Sequence, residues 1–104
     1  MNTVYIDTSS NQEIRVVLKI NGKEFEKKET IGKQKAQVVL PMIDQLLREN
    51  KLKLVDIGSV EVNIGPGSFT GLRVGMSVAN ALAFALKIPV NNKKIGEFVT
   101  PVYE

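Results

Sequence analysis

The sequence predicts a mixed α/β fold: a three-stranded antiparallel meander extended by parallel strands through helical crossovers, in the order βββαβαβ. Three observations predict it. Asn21-Gly22 lies between two strand-like runs, and both residues tolerate the positive φ of a tight hairpin turn. From residue 34 the apolar spacing changes from two to three-and-four, the signature of a helix. A Gly-rich connection then leads from a short apolar run into a second helical stretch that ends at Ile88-Pro89-Val90.

Residues 3–6 read as a first strand, ended by Asp7-Thr8-Ser9-Ser10-Asn11, side chains that hydrogen-bond their own backbone in turns. Residues 14–20 make a second strand. Residues 23–29 make a third, whose charges around Phe25 suit an exposed sheet edge. Over residues 34–50, Ala36, Val39, Leu40, Ile43, Leu46 and Leu47 fall on one stripe. Pro41 interrupts this helix and leaves two readings, a kink or a start close to it. Residues 59–64 form a fourth strand and residues 72–87 a second helix. Residues 88–90 begin a fifth, parallel strand, and residues 98–103 read as a terminal strand. The expected sheet has five strands in the order βββαβαβ, the terminal strand not counted, with both helices packed on it.

One domain accommodates all 104 residues. No Cys is present, which excludes disulfides and thiolate chemistry and is compatible with a reducing cytoplasm. No His is present either, removing the usual general base and the commonest nitrogen ligand for a metal. The net charge of +3 and the pI of about 9.3 mildly favour anionic partners, but the charges are interspersed and no basic stripe is evident along the chain. The longest apolar stretch, residues 74–90, contains Asn80 and Lys87 and falls short of the roughly 20 residues of a membrane span. The expected location is cytoplasmic, without membrane attachment.

The most specific stretch is Gly65-Pro66-Gly67-Ser68-Phe69-Thr70-Gly71-Leu72-Arg73-Val74-Gly75. Physically it is a strand-to-helix turn: Pro66 sets one φ, the glycines permit close backbone approach, and Ser68 or Thr70 can cap the helix. The helix amides there could also hold an anion. The spacing GxGxxxG matches neither the dinucleotide fingerprint nor the P-loop, so a structural turn and a phosphate cradle both remain open, the first favoured.

This string resembles the signature of the TsaB family, the YeaZ-like proteins of the glycoprotease-like (Gcp-like) group. Val4-Tyr5-Ile6-Asp7-Thr8-Ser9, Leu40-Pro41-Met42-Ile43-Asp44-Gln45-Leu46-Leu47 and Ile88-Pro89-Val90 resemble further family segments in order and spacing. The resemblance covers residues 4–90. It implies one actin/sugar-kinase-like (ribonuclease H-like) lobe, a shortened form of a two-lobed family, with residues 98–104 standing where the family has its C-terminal strand. Family members often carry HSE where this chain has Lys35-Ala36-Gln37.

In related kinase-like folds the turn at Asp7, Thr8 and Ser9 approaches nucleotide phosphates, which makes these residues the candidate anion site. An ordinary turn is favoured, because a single lobe supplies one wall of a cleft. The resemblance implies a non-catalytic subunit of transfer-RNA threonylcarbamoyladenosine biosynthesis that pairs with a TsaD-like enzyme, with no cofactor or metal and with transfer RNA reached only through the complex. The alternative is a nucleotide-binding half-site completed by another chain. A proteolytic role lacks a nucleophile-base pair. A direct RNA-binding module is disfavoured by the absence of a basic-aromatic face in the sequence.

The second helix is apolar almost all round, with Leu72, Met76, Ala79, Ala83 and Leu86 on one stripe and Val74, Val78, Ala81, Leu82 and Ala85 over much of the rest. Either the two helices bury each other and the sheet, or a partner covers a second side. The family uses these helices to pair with TsaD or with a second copy. The expected interface is therefore Val38, Met42, Gly75, Val78, Ala79, Leu82, Ala83 and Leu86.

Overall fold

The structure, a computed structural model, describes residues 1–30 and 35–100, with side chains in the first helix described from Gln37 onward. The strands are β1 (Asn2–Asp7), β2 (Glu13–Ile20), β3 (Lys23–Thr30) and β4 (Ser59–Val62), in the sheet order β3-β2-β1-β4. The helices are α1 (Lys35–Glu49) and α2 (Phe69–Leu86), and a single 3₁₀ turn covers Leu54–Asp56. β1, β2 and β3 form the expected antiparallel meander, and β4 joins β1 in parallel through the α1 crossover. Asn21 (φ 49°) and Gly22 (φ 84°) turn the hairpin in the left-handed region, where an Asn-Gly pair is least strained.

Period-two alternation places Val4 and Ile6 of β1, Ile14, Val16 and Leu18 of β2, and Val60 and Val62 of β4 on one buried face. The stripe of α1, with Val39, Met42, Ile43, Leu46 and Leu47, closes over it together with Leu72, Met76, Ala79 and Ala83 of α2. Pro41 lies inside α1 on its solvent side, so the helix does not begin near the proline. Its missing amide is least costly there, since water can reach the unpaired carbonyl one turn earlier. The other sheet face is polar: Arg15 and Lys19 stand over the Tyr5 ring and pair with Glu26 (2.9 Å) and Glu61 (3.6 Å).

Among the described residues the sheet has four strands, not five. Val60 donates to Pro89 O (3.0 Å) and accepts from the Asn91 amide (2.9 Å), leaving Val90 as a single parallel bridge to Val60. Asn91 and Asn92 then adopt φ of 50° and 60°, which stops any extended run. The Asn91 side chain takes the place of the missing strand, accepting from Val62 N (2.8 Å) and donating to Val62 O (3.0 Å). The expected terminal strand is also absent over residues 98–100, which are irregular; residues 101–104 lie outside the described residues.

With 18 residues and a mean hydropathy of 1.3, α2 is long and apolar enough to cross a membrane by length and composition. Gly71, Leu72, Gly75, Met76, Ala79, Leu82 and Ala83 are instead buried within the lobe, as in a core helix.

Candidate functional site

The two sequence segments singled out as functional meet at the end of the lobe where β1 stops and α2 begins. Thr8 is fully buried, and its hydroxyl is inserted at the first turns of α2, donating to Gly71 O and accepting from Gly75 N (3.0 Å). This insertion explains Gly75: a Cβ there would lie 2.5 Å from Thr8 Oγ1 and 3.3 Å from Val62 Cγ2. Gly67 is required in the same way, since its Cβ would meet Ser9 Cβ at 2.6 Å while Ser68 N donates to Ser9 O (2.8 Å). The turn and the Gly-rich loop are therefore one knitted unit.

Asp7 completes it. Its Oδ1 accepts from Ser9 N (2.9 Å), Ser9 Oγ (2.6 Å) and Asn63 Nδ2 (3.3 Å), and Asn63 Oδ1 accepts from Gly65 N (3.0 Å). Partial burial pushes the Asp7 carboxyl up, but the bonds from Ser9 and Asn63, with the Arg15 charge, outweigh it and hold the group below its ordinary value. Burial, followed by the charge of Asp7, raises the Tyr5 phenol.

Of the two candidate caps, Ser68 is the one used: α2 begins at Phe69, and Ser68 Oγ accepts from Gly71 N (3.3 Å), with Thr70 inside the helix. Arg73 lies over the Phe69 ring at 5.1 Å, a cation-π contact on the exposed side of the first turn. The loop amides of Ser68 and Gly71 thus serve the fold, and Thr8 has its hydroxyl committed on both sides.

The residues of the expected interface divide by burial. Met42, Gly75, Ala79, Leu82 and Ala83 face the lobe's own core, Ala79 with no exposure at all, because the sheet and α1 already cover that side of α2. Val38, Val78 and Leu86 are half-buried against the same core and keep part of their surface outside. The outward side of α2 carries Thr70, Arg73, Ser77, Ala81, Phe84 and Ala85. Stripe counting could not separate the two sides, because both are built from small and apolar residues. Asn63, Asn80 and Asn91 were missed by the sequence reading. Only Asn63, two residues before a glycine, carried a local signal, that of a side chain closing a turn.

Four strands and two helices in this order, with a threonine of the first turn locked into the second helix, define a single ribonuclease H-like lobe of the actin and sugar-kinase kind. Residues 27–92 match the family model described as TsaD, tRNA N6-adenosine threonylcarbamoyltransferase. The tRNA threonylcarbamoyladenosine biosynthesis protein TsaB of Haemophilus influenzae is 36% identical over 85 residues, 82% of this chain and 36% of that protein. The tRNA N6-adenosine threonylcarbamoyltransferase of Syntrophus aciditrophicus is 40% identical over 62 residues, 60% of this chain and 18% of the relative. YeaZ from Pseudomonas aeruginosa superposes with a TM-score of 0.81 at 34% identity, over 89% of this chain and 43% of that one. The chain belongs to the TsaB (YeaZ-like) family. It spans less than half the length of these relatives.

Proposed function

We propose that this chain is a non-catalytic partner subunit in the biosynthesis of threonylcarbamoyladenosine on transfer RNA, pairing through α1 and α2 with a TsaD-like enzyme or with a second copy. The outer side of α2 carries the reading. Arg73 is the one charged residue in this 18-residue helix, and Thr70, Ser77, Ala81 and Ala85 form a small, uncharged exposed ridge. Val74 and Val78 of α2 keep part of their surface outside, as do Val38 and Leu40 of α1, the latter 49% exposed. A helix side so poor in charge suits close packing against another helix more than contact with water.

A role without chemistry is supported by the absence of His and Cys and by the bonding of the Asp7-Thr8-Ser9 turn, whose groups hold α2 and the Gly-rich loop. The alternative of a nucleotide half-site would require Asp7 and Ser9 to release each other. ATP turnover by the chain alone that disappears in Asp7→Ala would support that alternative.

The interface is tested with Ala81→Glu. Ala81 is exposed, so the substitution leaves the core alone, whereas a carboxylate buried unpaired in a helical interface costs about 3–5 kcal/mol. The expected result is loss of co-elution with the TsaD-like enzyme and loss of stimulated transfer-RNA modification, with melting unchanged. Full stimulation by folded Ala81→Glu removes this face as the interface.

A further inference from the structure

Residues 98–100 are held to α2 by one side chain. Asn80 Nδ2 donates to Val99 O and Asn80 Oδ1 accepts from Val99 N, both at 3.0 Å, so a single amide group satisfies both backbone groups of one residue. Among the described residues these are the only hydrogen bonds that hold residues 98–100. Val99 is buried in the core cluster at 4% exposure, while Phe98 lays its ring against Phe84 with centroids 6.4 Å apart. The two contacts fix a direction: Phe98 meets position 84 and Val99 meets position 80, so residues 98–100 run against the direction of α2.

The approach to this segment is loosely held. Residues 92–97 are exposed throughout, and Gly96 turns at φ 95° with open space beside its α-carbon. The turn bonds there, Lys93 N to Val90 O and Glu97 N to Lys94 O, tie the loop to itself and to Val90. Residues 98–100 can therefore leave α2 without breaking a bond of any strand or helix. They lie against the side of α2 that the partner role uses: Phe84 is three residues after Ala81 and seven after Ser77, on one helical stripe. A helix packed on the small residues at 77, 81 and 85 would approach α2 to about 8–10 Å between axes, which leaves no layer for a second ring over Phe84.

We propose that residues 98–100 are a releasable strap: latched by Asn80 they close the Phe84 end of the α2 face, and docking of the TsaD-like enzyme on that face requires Asn80 to release Val99. Resting on the partner role proposed above, the strap adds a control on how tightly that partner is held. A partner that needs the open state binds more weakly in proportion to the fraction of chains in which the strap is open. Release gives the partner new contact surface, namely the apolar slot that Val99 leaves and the ring of Phe84, already 74% exposed.

The test is a calorimetric titration of the full chain with the TsaD-like enzyme, for the parent, Asn80→Ala and Phe98→Ala, together with hydrogen exchange at the Val99 amide in the free chain and in the complex. Circular dichroism confirms that each variant folds. Phe98 is 41% exposed, so Phe98→Ala carries the test even where Asn80→Ala unfolds. Asn80→Ala is expected to bind about tenfold tighter than the parent and Phe98→Ala to shift in the same direction, since each raises the open fraction. The Val99 amide should exchange faster in the complex than in the free chain. Equal affinity in the parent and both variants, with Ala81→Glu still abolishing binding, overturns the strap and leaves the partner role standing. Weaker binding by Phe98→Ala, or slower exchange at Val99 in the complex, overturns it as well, by making the segment part of the interface. Binding by Asn80→Ala where the parent shows none supports the strap most directly, and absence of binding by the parent and both variants overturns the strap and the partner role together.

Discussion

Replacing Thr8 by Val should destabilise the chain by about 2–3 kcal/mol. Valine preserves the shape of threonine, so packing against the core is nearly unchanged. What is lost is the hydroxyl that donates to Gly71 O and accepts from Gly75 N inside the lobe. A buried backbone group left without its partner costs about 1–3 kcal/mol. The Gly75 amide carries most of this, since the Gly71 carbonyl has a second lone pair. A domain of this size has a total stability of about 5–15 kcal/mol, and each kcal/mol moves Tm by about 4–8 °C. Urea denaturation followed by circular dichroism should therefore show a lower midpoint with an unchanged slope, and melting should fall by about 10–20 °C. Thr8→Ser is the discriminating control, because it keeps the hydroxyl and removes one methyl, for about 1 kcal/mol. If Thr8→Ser proves as damaging as Thr8→Val, the methyl rather than the hydroxyl matters, and the lock between the turn and α2 is refuted.

Gly75→Ala should cost about 1–3 kcal/mol despite the better helix propensity of alanine, because the new Cβ would meet Thr8 Oγ1 at 2.5 Å; combining it with Thr8→Ala should recover part of the loss, measured as a non-additive double-mutant cycle. Stability should depend on pH through Asp7: its carboxyl is lowered in the folded state, so its contribution is complete above the ordinary value of about 3.9 and is lost as pH falls through the folded value. Melting between pH 5 and pH 2 should be less pH-sensitive in Asp7→Asn than in the parent, and equal slopes would refute this. Asn80→Ala should raise the hydrogen-exchange rate of the Val99 amide by at least tenfold while leaving β2 amides protected, and unchanged protection would show that the latch is not what holds residues 98–100.

The meander, its Asn-Gly turn, both helices and the order of elements were legible in the sequence, because each rests on local chemistry. Positive φ, period-two or helical spacing and a capping serine act over a few residues. The family signature also lay in one contiguous string. The fifth strand failed for a reason no local pattern carries: Asn91 satisfies Val62 with its side chain and turns the chain away, an outcome that depends on β4 lying within reach. Which side of α2 faces outward was not legible either. An all-round apolar helix states that two sides must be covered, but only the packed lobe shows that Ala79 and Met42 face the core while Ala81 faces out. The composition determined that the chain has neither a thiol nor an imidazole, and that its charge is modestly positive. Only the tertiary structure decided where that charge acts. Ion pairs join Arg15 and Lys28 to Glu26, Lys19 to Glu61 and Lys27 to Glu49 because strand pairing and the packing of α1 on β3 bring them within reach, and the fold sets the rings of Phe84 and Phe98 side by side from positions 14 residues apart.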